Sequence, residues 1–146
     1  MPDPTEFLNG LKPGRALDLA AGSGSHSLWL AERGWEVTAV DIEIGIELGE
    51  IAGIHRIRAD LEKHEYRIAP GSWDLIVCWR YWQPDLLPEI AGGVRPGGIV
   101  ALAGKTSGRF ATSVSQYRDA FRTWTEIASG RHEPIAFFIA RKKPVD

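Results

Sequence analysis

The sequence predicts an α/β fold: a doubly wound sheet of seven strands, mostly parallel and closed by a C-terminal antiparallel hairpin. Three observations carry that expectation. Residues 15–41 read as strand, glycine turn, helix and strand, with an acid at the second strand's tip. Apolar runs and helical stretches then alternate as far as Ala103, the rhythm of parallel strands joined by crossover helices. Two late apolar runs, 125–128 and 134–140, are close enough to pair as a hairpin.

Each element has its own local reason. Pro2, Pro4 and Pro13 leave residues 1–14 room for one helical turn, which packs Phe7, Leu8 and Leu11 on the first strand. Residues 16–20 form an apolar run broken by one carboxylate, Asp18, as in a strand covered on both faces. Gly22-Ser23-Gly24 gives the backbone the freedom to turn tightly against a ligand. Leu28, Leu30 and Ala31 supply the apolar face of the next helix, and Gly34 its C-terminal stop. Val37, Ala39 and Val40 build the second strand, with Asp41 at its tip.

Residues 43–52 are assigned to a short helix by the strand–helix rhythm, although Gly45 and Gly49 weaken it. The third strand covers 54–60 and ends on Asp60, and a polar loop follows over 61–72. Residues 73–78 are almost continuously apolar, which marks a central strand, and Trp79, Tyr81 and Trp82 stand at its exit. A helix over 85–94, despite Pro88, is ended by the turn Arg95-Pro96-Gly97-Gly98. The fifth strand is 99–103, and a polar loop follows over 104–109. Apolar residues at 114, 117, 120, 121 and 124 share one helix face. Residues 129–133 join the last two strands.

Composition limits the function classes. The 146 residues are 44% hydrophobic and 25% charged, ordinary values for a single soluble globular domain spanning 1–146. A net charge of −2, with Arg141-Lys142-Lys143 as the one basic cluster, argues against nucleic-acid binding. The single cysteine, Cys78, excludes an internal disulfide and a cysteine-rich metal site, and no metal is expected. No stretch approaches a membrane span and no secretory signal pattern is visible, so the expected location is cytoplasmic.

The chemistry lies at the strand tips. In a right-handed βαβ unit both tips open on one crevice, so the glycine turn and Asp41 face the same ligand. Amides at the helix start attract anionic groups, while a carboxylate about 20 residues further on accepts hydrogen bonds from both ribose hydroxyls. The ligand is a nucleoside-bearing cofactor. A dinucleotide fingerprint needs a third glycine, and Ser27 stands there instead; Asp18 is also foreign to it.

Asp18-Leu19-Ala20-Ala21-Gly22-Ser23-Gly24 resembles motif I of the class I S-adenosylmethionine-dependent methyltransferases, acid-x-Gly-x-Gly-x-Gly, with Ala20 in place of the first glycine. Asp74-Leu75-Ile76-Val77, an exit loop, a helix and then Arg95-Pro96-Gly97-Gly98-Ile99-Val100 are similar to the family's later motifs. The resemblance spans residues 16–102, and its nearest flavour is the small bacterial tellurite-resistance-like group.

That resemblance implies a Rossmann-like fold, S-adenosyl-L-methionine as cofactor and direct in-line methyl transfer to a small-molecule acceptor. It implies cofactor contacts at Asp18, Ala20, Gly22, Ser23, Gly24, Asp41, Ile42, Asp60, Leu61 and Cys78. Asp60 would bond the adenine amine, the alternative being a cap of the next turn. Trp79, Tyr81 and Trp82 are the candidate acceptor contacts through their aromatic faces. The Asn/Asp-Pro-Pro-Tyr/Phe signature of base-amine methylation is absent at this site, which disfavours that acceptor. No catalytic residue is assigned, because an activated sulfonium needs mainly positioning. His26 reads as a structural helix-start residue and Cys78 as core. The competing class is a non-catalytic nucleoside-binding or interaction domain with the same fold.

Three expectations depend on the structure. The aromatic cluster should leave an apolar patch at the cleft mouth, covered by a second copy of the chain, by residues 1–14 or by a bulky acceptor; a homodimer is the first choice. Gly24→Val should block the cofactor while sparing the fold. Asp41→Ala should weaken the cofactor while scarcely moving ligand-free stability.

Overall fold

Successive residues of each inner strand point to opposite sides of one sheet, and both sides are covered, so these strands read as unbroken apolar runs. The computed structural model describes residues 3–43, 51–109 and 111–145. Among these, the strands are β1 (Arg15–Leu19), β2 (Glu36–Asp41), β3 (Ile54–Arg58), β4 (Trp73–Trp79), β5 (Val94–Lys105), β6 (Thr125–His132) and β7 (Ile135–Arg141). Their spatial order is β3-β2-β1-β4-β5-β7-β6. The first five are parallel, and β7 enters antiparallel between β5 and β6. The helices are α1 (Thr5–Leu8), α2 (Ser25–Glu32), α3 (Leu87–Gly93) and α4 (Val114–Ala120).

Two core layers sandwich the sheet. One packs Leu17, Leu19, Ile76, Leu102 and Phe138 against Leu87 and Ile90 of α3, Tyr117 of α4 and Phe121 just after it. The other packs Ala16, Val37, Leu75, Val77 and Ile139 against Leu8 of α1 and Leu30 of α2. Each Leu, Ile or Phe buried in this way contributes about 1.5–3 kcal/mol. Helices of four to eight residues are marginal alone, so these layers, not intrinsic propensity, hold them.

The C-terminal ends of α2 and α3 are closed by specific contacts. Gly34, at φ +91, closes α2: its amide bonds Ala31 O and the Trp35 amide bonds Leu30 O, the paired capping bonds of a left-handed glycine stop. Lys142 closes α3 from outside, donating to Ala91 O at 2.7 Å and Val94 O at 2.8 Å. Arg141 donates to Gly97 O at 2.7 Å. Two of the three residues in the basic C-terminal cluster therefore brace backbone carbonyls.

Several boundaries differ from the sequence reading. Residues 95–98 do not end the helix but sit inside β5 as a bulge, the register passing from Trp73↔Val94 directly to Leu75↔Ile99. The ladder with β4 resumes after Pro-Gly-Gly, so a local turn signal is carried within a strand. The expected helix over 85–94 is a single 3-10 turn, Pro84–Leu86, followed by α3. The helix expected to reach Trp124 ends at Ala120, although Phe121 and Trp124 still pack together at 5.0 Å. β6 runs on through 129–132, leaving only Glu133 and Pro134 as the turn. β3 stops at Arg58, β1 stops at Leu19, and β4 includes Trp79. The buried face of α2 is Ser27 and Leu30, with Leu28 turned partly outward. The helix expected over 43–52 falls largely on 44–50, outside the described residues.

Candidate functional site

β1 sends its neighbours β2 and β4 to either side, so the connections after β1 and β4 diverge and leave a crevice at the strands' C-terminal tips. Ala20, the first residue past β1, lines two adjoining lobes of that crevice. One lobe, ≈ 230 Å³, is lined by Ala20, Asp41, Ile42, Ala59, Asp60, Leu61, Glu62 and Tyr81. The other, ≈ 490 Å³, is lined by the Gly22 turn together with Asp3, Asp18, His26, Trp79 and Arg80.

The turn between them is held in strained or glycine-only conformations. Ala20 has φ +54, Gly22 +58 and Gly24 +85. At Ala20 a side chain occupies the left-handed region where the related motif has glycine. Ala20→Gly is therefore expected to raise stability by about 1 kcal/mol, most of the left-handed penalty for an L-residue. Urea melts measure this; a destabilised variant would show that the methyl's packing against the core outweighs its strain. Gly24 is buried at φ +85 as the residue before α2, so valine would strain the fold itself. The expectation that Gly24→Val spares the fold is thereby corrected.

Asp41 reaches back to the turn. Its Oδ2 accepts the Gly22 amide at 2.9 Å and its Oδ1 accepts the Glu43 amide at 3.0 Å. The carboxylate thus anchors the glycine turn even without ligand, and the expectation of unmoved ligand-free stability is corrected too. Each carboxylate oxygen retains a second lone pair for a further donor.

Asp60 takes the capping position that the sequence offered as an alternative. Its Oδ1 accepts the Glu62 amide at 2.9 Å and the Lys63 amide at 3.4 Å, so it caps the following turn while lining the smaller lobe. The wall opposite is tied by Gln83, which donates to Leu61 O at 3.1 Å and accepts the Tyr81 hydroxyl at 2.6 Å. That hydroxyl is raised to about 12, first by burial and then by the nearby Glu62 charge.

Asp18 is nearly inaccessible, at 2%, and accepts the Ser27 hydroxyl at 2.7 Å. Burial pushes this carboxyl up to about 6, opposed by the Ser27 bond and by His26. His26 lies 3.7 Å from Asp3 and edge-on to Trp79, with ring centroids 6.5 Å apart. The first described residues of the chain therefore border the larger lobe.

The three aromatics at the strand exit do not form one patch. Trp79 is only 8% exposed and packs on Phe137 at 6.2 Å, on the α1/α2 side. Trp82 stands edge-on to Tyr117 at 5.4 Å, on the α3/α4 side, while Tyr81 lines the smaller lobe. β4 ends at Trp79, and Arg80 at φ +68 turns the chain so that Tyr81 and Trp82 pack on the other side of the sheet. The apolar patch on which self-association was expected is absent from these residues. Cys78 also turns away from both lobes. It lines a narrow void with Trp82, Leu86, Leu102 and Tyr117, its thiol 3.9 Å from Tyr81 O and pushed up to about 12 by burial.

Of the residues put forward from the sequence, Asp18, Ala20, Gly22, Ser23, Asp41, Ile42, Asp60 and Leu61 line the crevice, with Trp79 in the larger lobe and Tyr81 in the smaller, while Gly24, Cys78 and Trp82 line neither lobe. Sequence reasoning missed Ala59, Glu62, Ser25, Arg80 and Asp3 as lining residues. Ser27 was visible only as a missing glycine; a hydroxyl at a buried helix position near a strand carboxyl was the available signal.

Comparisons with known proteins agree with this fold. The family model described as tellurite resistance protein TehB matches residues 3–76. The malonyl-[acyl-carrier protein] O-methyltransferase of Salmonella typhimurium is 32% identical over 132 residues, covering 86% of this chain and 50% of that protein. A ubiquinone biosynthesis O-methyltransferase of Xanthomonas campestris is 32% identical over 116 residues, covering 68% and 47%. The chain thus spans about half the length of the curated relatives it matches. Among solved structures, TehB of Haemophilus influenzae superposes with a TM-score of 0.75 at 18% identity, covering 95% of this chain and 61% of that one. The 1,6-didemethyltoxoflavin-N1-methyltransferase of Burkholderia thailandensis, solved with S-adenosylhomocysteine, gives 0.73 at 19% identity, covering 95% and 74%. The chain belongs to the TehB family of tellurite resistance proteins, within the class I S-adenosylmethionine-dependent methyltransferases.

Proposed function

We propose that the protein transfers the methyl group of S-adenosylmethionine directly to a small-molecule acceptor in the larger lobe of the crevice. The observation that carries this reading is the two-lobed cleft hinged at Ala20, with a ribose-type carboxylate, Asp41, on one side and a buried acid, Asp18, on the other. Its residues fit the cofactor's chemistry. A side chain built at Gly22 would meet nothing within 4 Å, so the turn leaves open space beside bare backbone. Asp18 offers a carboxylate to an ammonium group, and Asp41 offers acceptors to two hydroxyls.

The bound cofactor supplies a methyl group already activated on a sulfonium. The chain's own work is positioning and exclusion of water. Asp41 fixes the ribose, Asp60 and Leu61 receive the adenine edge, and Tyr81 closes the wall over it. Gly22, Ser23 and Gly24 let the amino-acid part lie against backbone amides, and Asp18 holds its ammonium. Trp79, with His26 and Arg80 around it, forms the surface an acceptor meets; Tyr81 and Trp82 border the same strand exit. The lobe's mixed lining of acids, an arginine, an imidazole and an indole suits a small polar acceptor.

Calorimetry with S-adenosylmethionine, S-adenosylhomocysteine and a nicotinamide dinucleotide tests the cofactor. The first two should bind and the third should not; the reverse order would overturn the reading. Transfer of labelled methyl groups into a mixed metabolite extract then separates an enzyme from a non-catalytic nucleoside-binding domain. Gly22→Asn gives a sharper check, because asparagine tolerates φ near +58 while filling the open space. We expect at least about tenfold weaker S-adenosylmethionine binding, equivalent to roughly 1.4 kcal/mol, with little change in thermal midpoint. Unchanged affinity would place the cofactor elsewhere.

A further inference from the structure

We propose that Ser27 is a positioning residue for cofactor binding: its hydroxyl, donated to Asp18 from the first turn of α2, fixes the Asp18 carboxylate as a charged receptor for the cofactor's ammonium group. The inference rests on the assignment of this crevice to S-adenosylmethionine. Ser27 is fully buried, and its hydroxyl leaves its own helix to bond Oδ2 of Asp18 at 2.7 Å. It occupies the place where a dinucleotide fold carries glycine, so the pair replaces a close helix–strand contact with a hydrogen bond. Asp18 in turn lines the larger lobe beside Gly22 and Ser23.

The electrostatics agree with that geometry. Burial disfavours the Asp18 charge, and the Ser27 hydroxyl is the largest influence restoring it. The other groups facing Asp18 are His26 and the Ser27 amide from α2, which favour its charge, and Asp41 from β2, which opposes it. Cys78 of β4 is near enough to feel the Asp18 charge, and Asp3 and Arg80 line the same lobe. Without ligand the carboxyl is partly protonated near pH 6. An arriving ammonium draws it to the ionised form, the carboxyl O–H breaks, and the proton leaves to buffer. Without the Ser27 bond the proton is held to higher pH, and binding must expel it there too.

Calorimetry with S-adenosylhomocysteine, which keeps the ammonium, reads this directly when run in two buffers of different ionisation heat. The wild type should release a fraction of a proton near pH 6 and almost none two units higher. Ser27→Ala should bind about tenfold more weakly at pH 5 for each unit its carboxyl rises, a loss that shrinks to about twofold for the first unit at pH 7 and vanishes in alkali, with the release window moved upward. Ser27→Cys, similar in size and a weaker donor, should fall between them. Asp18→Asn should abolish this release. A loss in Ser27→Ala that is equal at every pH would mean packing alone and overturn the proposal, as would an unmoved release window. Carbon-13 titration of the Asp18 carboxyl in ligand-free Ser27→Ala must also move upward; no movement overturns the proposal. Failure of the wild type to bind S-adenosylhomocysteine at all would instead refute the cofactor assignment, while the ligand-free titration still decides the role of Ser27.

Discussion

Asp41→Ala is expected to weaken S-adenosylmethionine binding by about 10- to 150-fold, the equivalent of roughly 1.5–3 kcal/mol for hydrogen bonds to a charged group. Unlike an ordinary ligand contact, Asp41 also accepts the Gly22 and Glu43 amides, so the ligand-free protein should lose about 1 kcal/mol as well. Asp41→Asn separates the two effects. Its single acceptor oxygen can keep one backbone bond, but it cannot serve both amides and both ribose hydroxyls. Calorimetry and ligand-free thermal melts on both variants measure the split. A fall in stability with unchanged affinity would make Asp41 an anchor of the turn and nothing more.

The second large effect is a gain in stability. Asp18 carries a carboxyl raised to about 6 from its ordinary 3.8, chiefly by burial. Between those values the folded chain holds a proton that the unfolded chain has already lost. Stability therefore falls as pH rises through this window, and the penalty is fully present above it. The shift corresponds to a penalty on the order of 3 kcal/mol at neutral pH. Asp18→Asn removes the buried charge while its amide oxygen can still accept from Ser27. It should be more stable than wild type at pH 8, lose that advantage towards pH 4, and bind S-adenosylmethionine poorly. Urea melts across this pH range are the measurement. A variant less stable at every pH would mean that the carboxylate's own bonds repay its burial.

These two acids also show where the sequence could and could not be read. Asp41 was legible because a βαβ unit brings its strand tips together whatever the side chains are, and the Gly22–Asp41 bond follows from that topology. Asp18 was legible as an acid out of place in an apolar strand, but its partner was not. Ser27 follows it by nine residues, and a hydrogen bond between helix and strand leaves no local period. Trp79 and Trp82 were misjudged together because their separation depends on where β4 ends and on the left-handed residue Arg80. The Arg95–Gly98 bulge had the composition of a turn, and only the ladder with β4 keeps it inside a strand. β6 escaped notice beyond residue 128 because an edge strand half in solvent need not be apolar.

The place of β7 has a consequence for biosynthesis. A chain made from its N-terminus presents β5 well before the strand that pairs with its free side, since Ile99 waits for Arg141 and Lys105 for Ile135. Until then Ile99, Val100, Ala101 and Leu102 offer an unsatisfied, apolar sheet edge to any neighbouring nascent chain. β6 emerges earlier but cannot cover that edge, because its own partner is the same late strand. The interval is short for one ribosome at about 5–20 residues per second, yet it recurs on every chain of a polysome. Expression yield should therefore depend on how quickly residues 135–141 clear the exit tunnel, and slow codons just upstream of them should send more protein into inclusion bodies without altering a single contact of the finished fold.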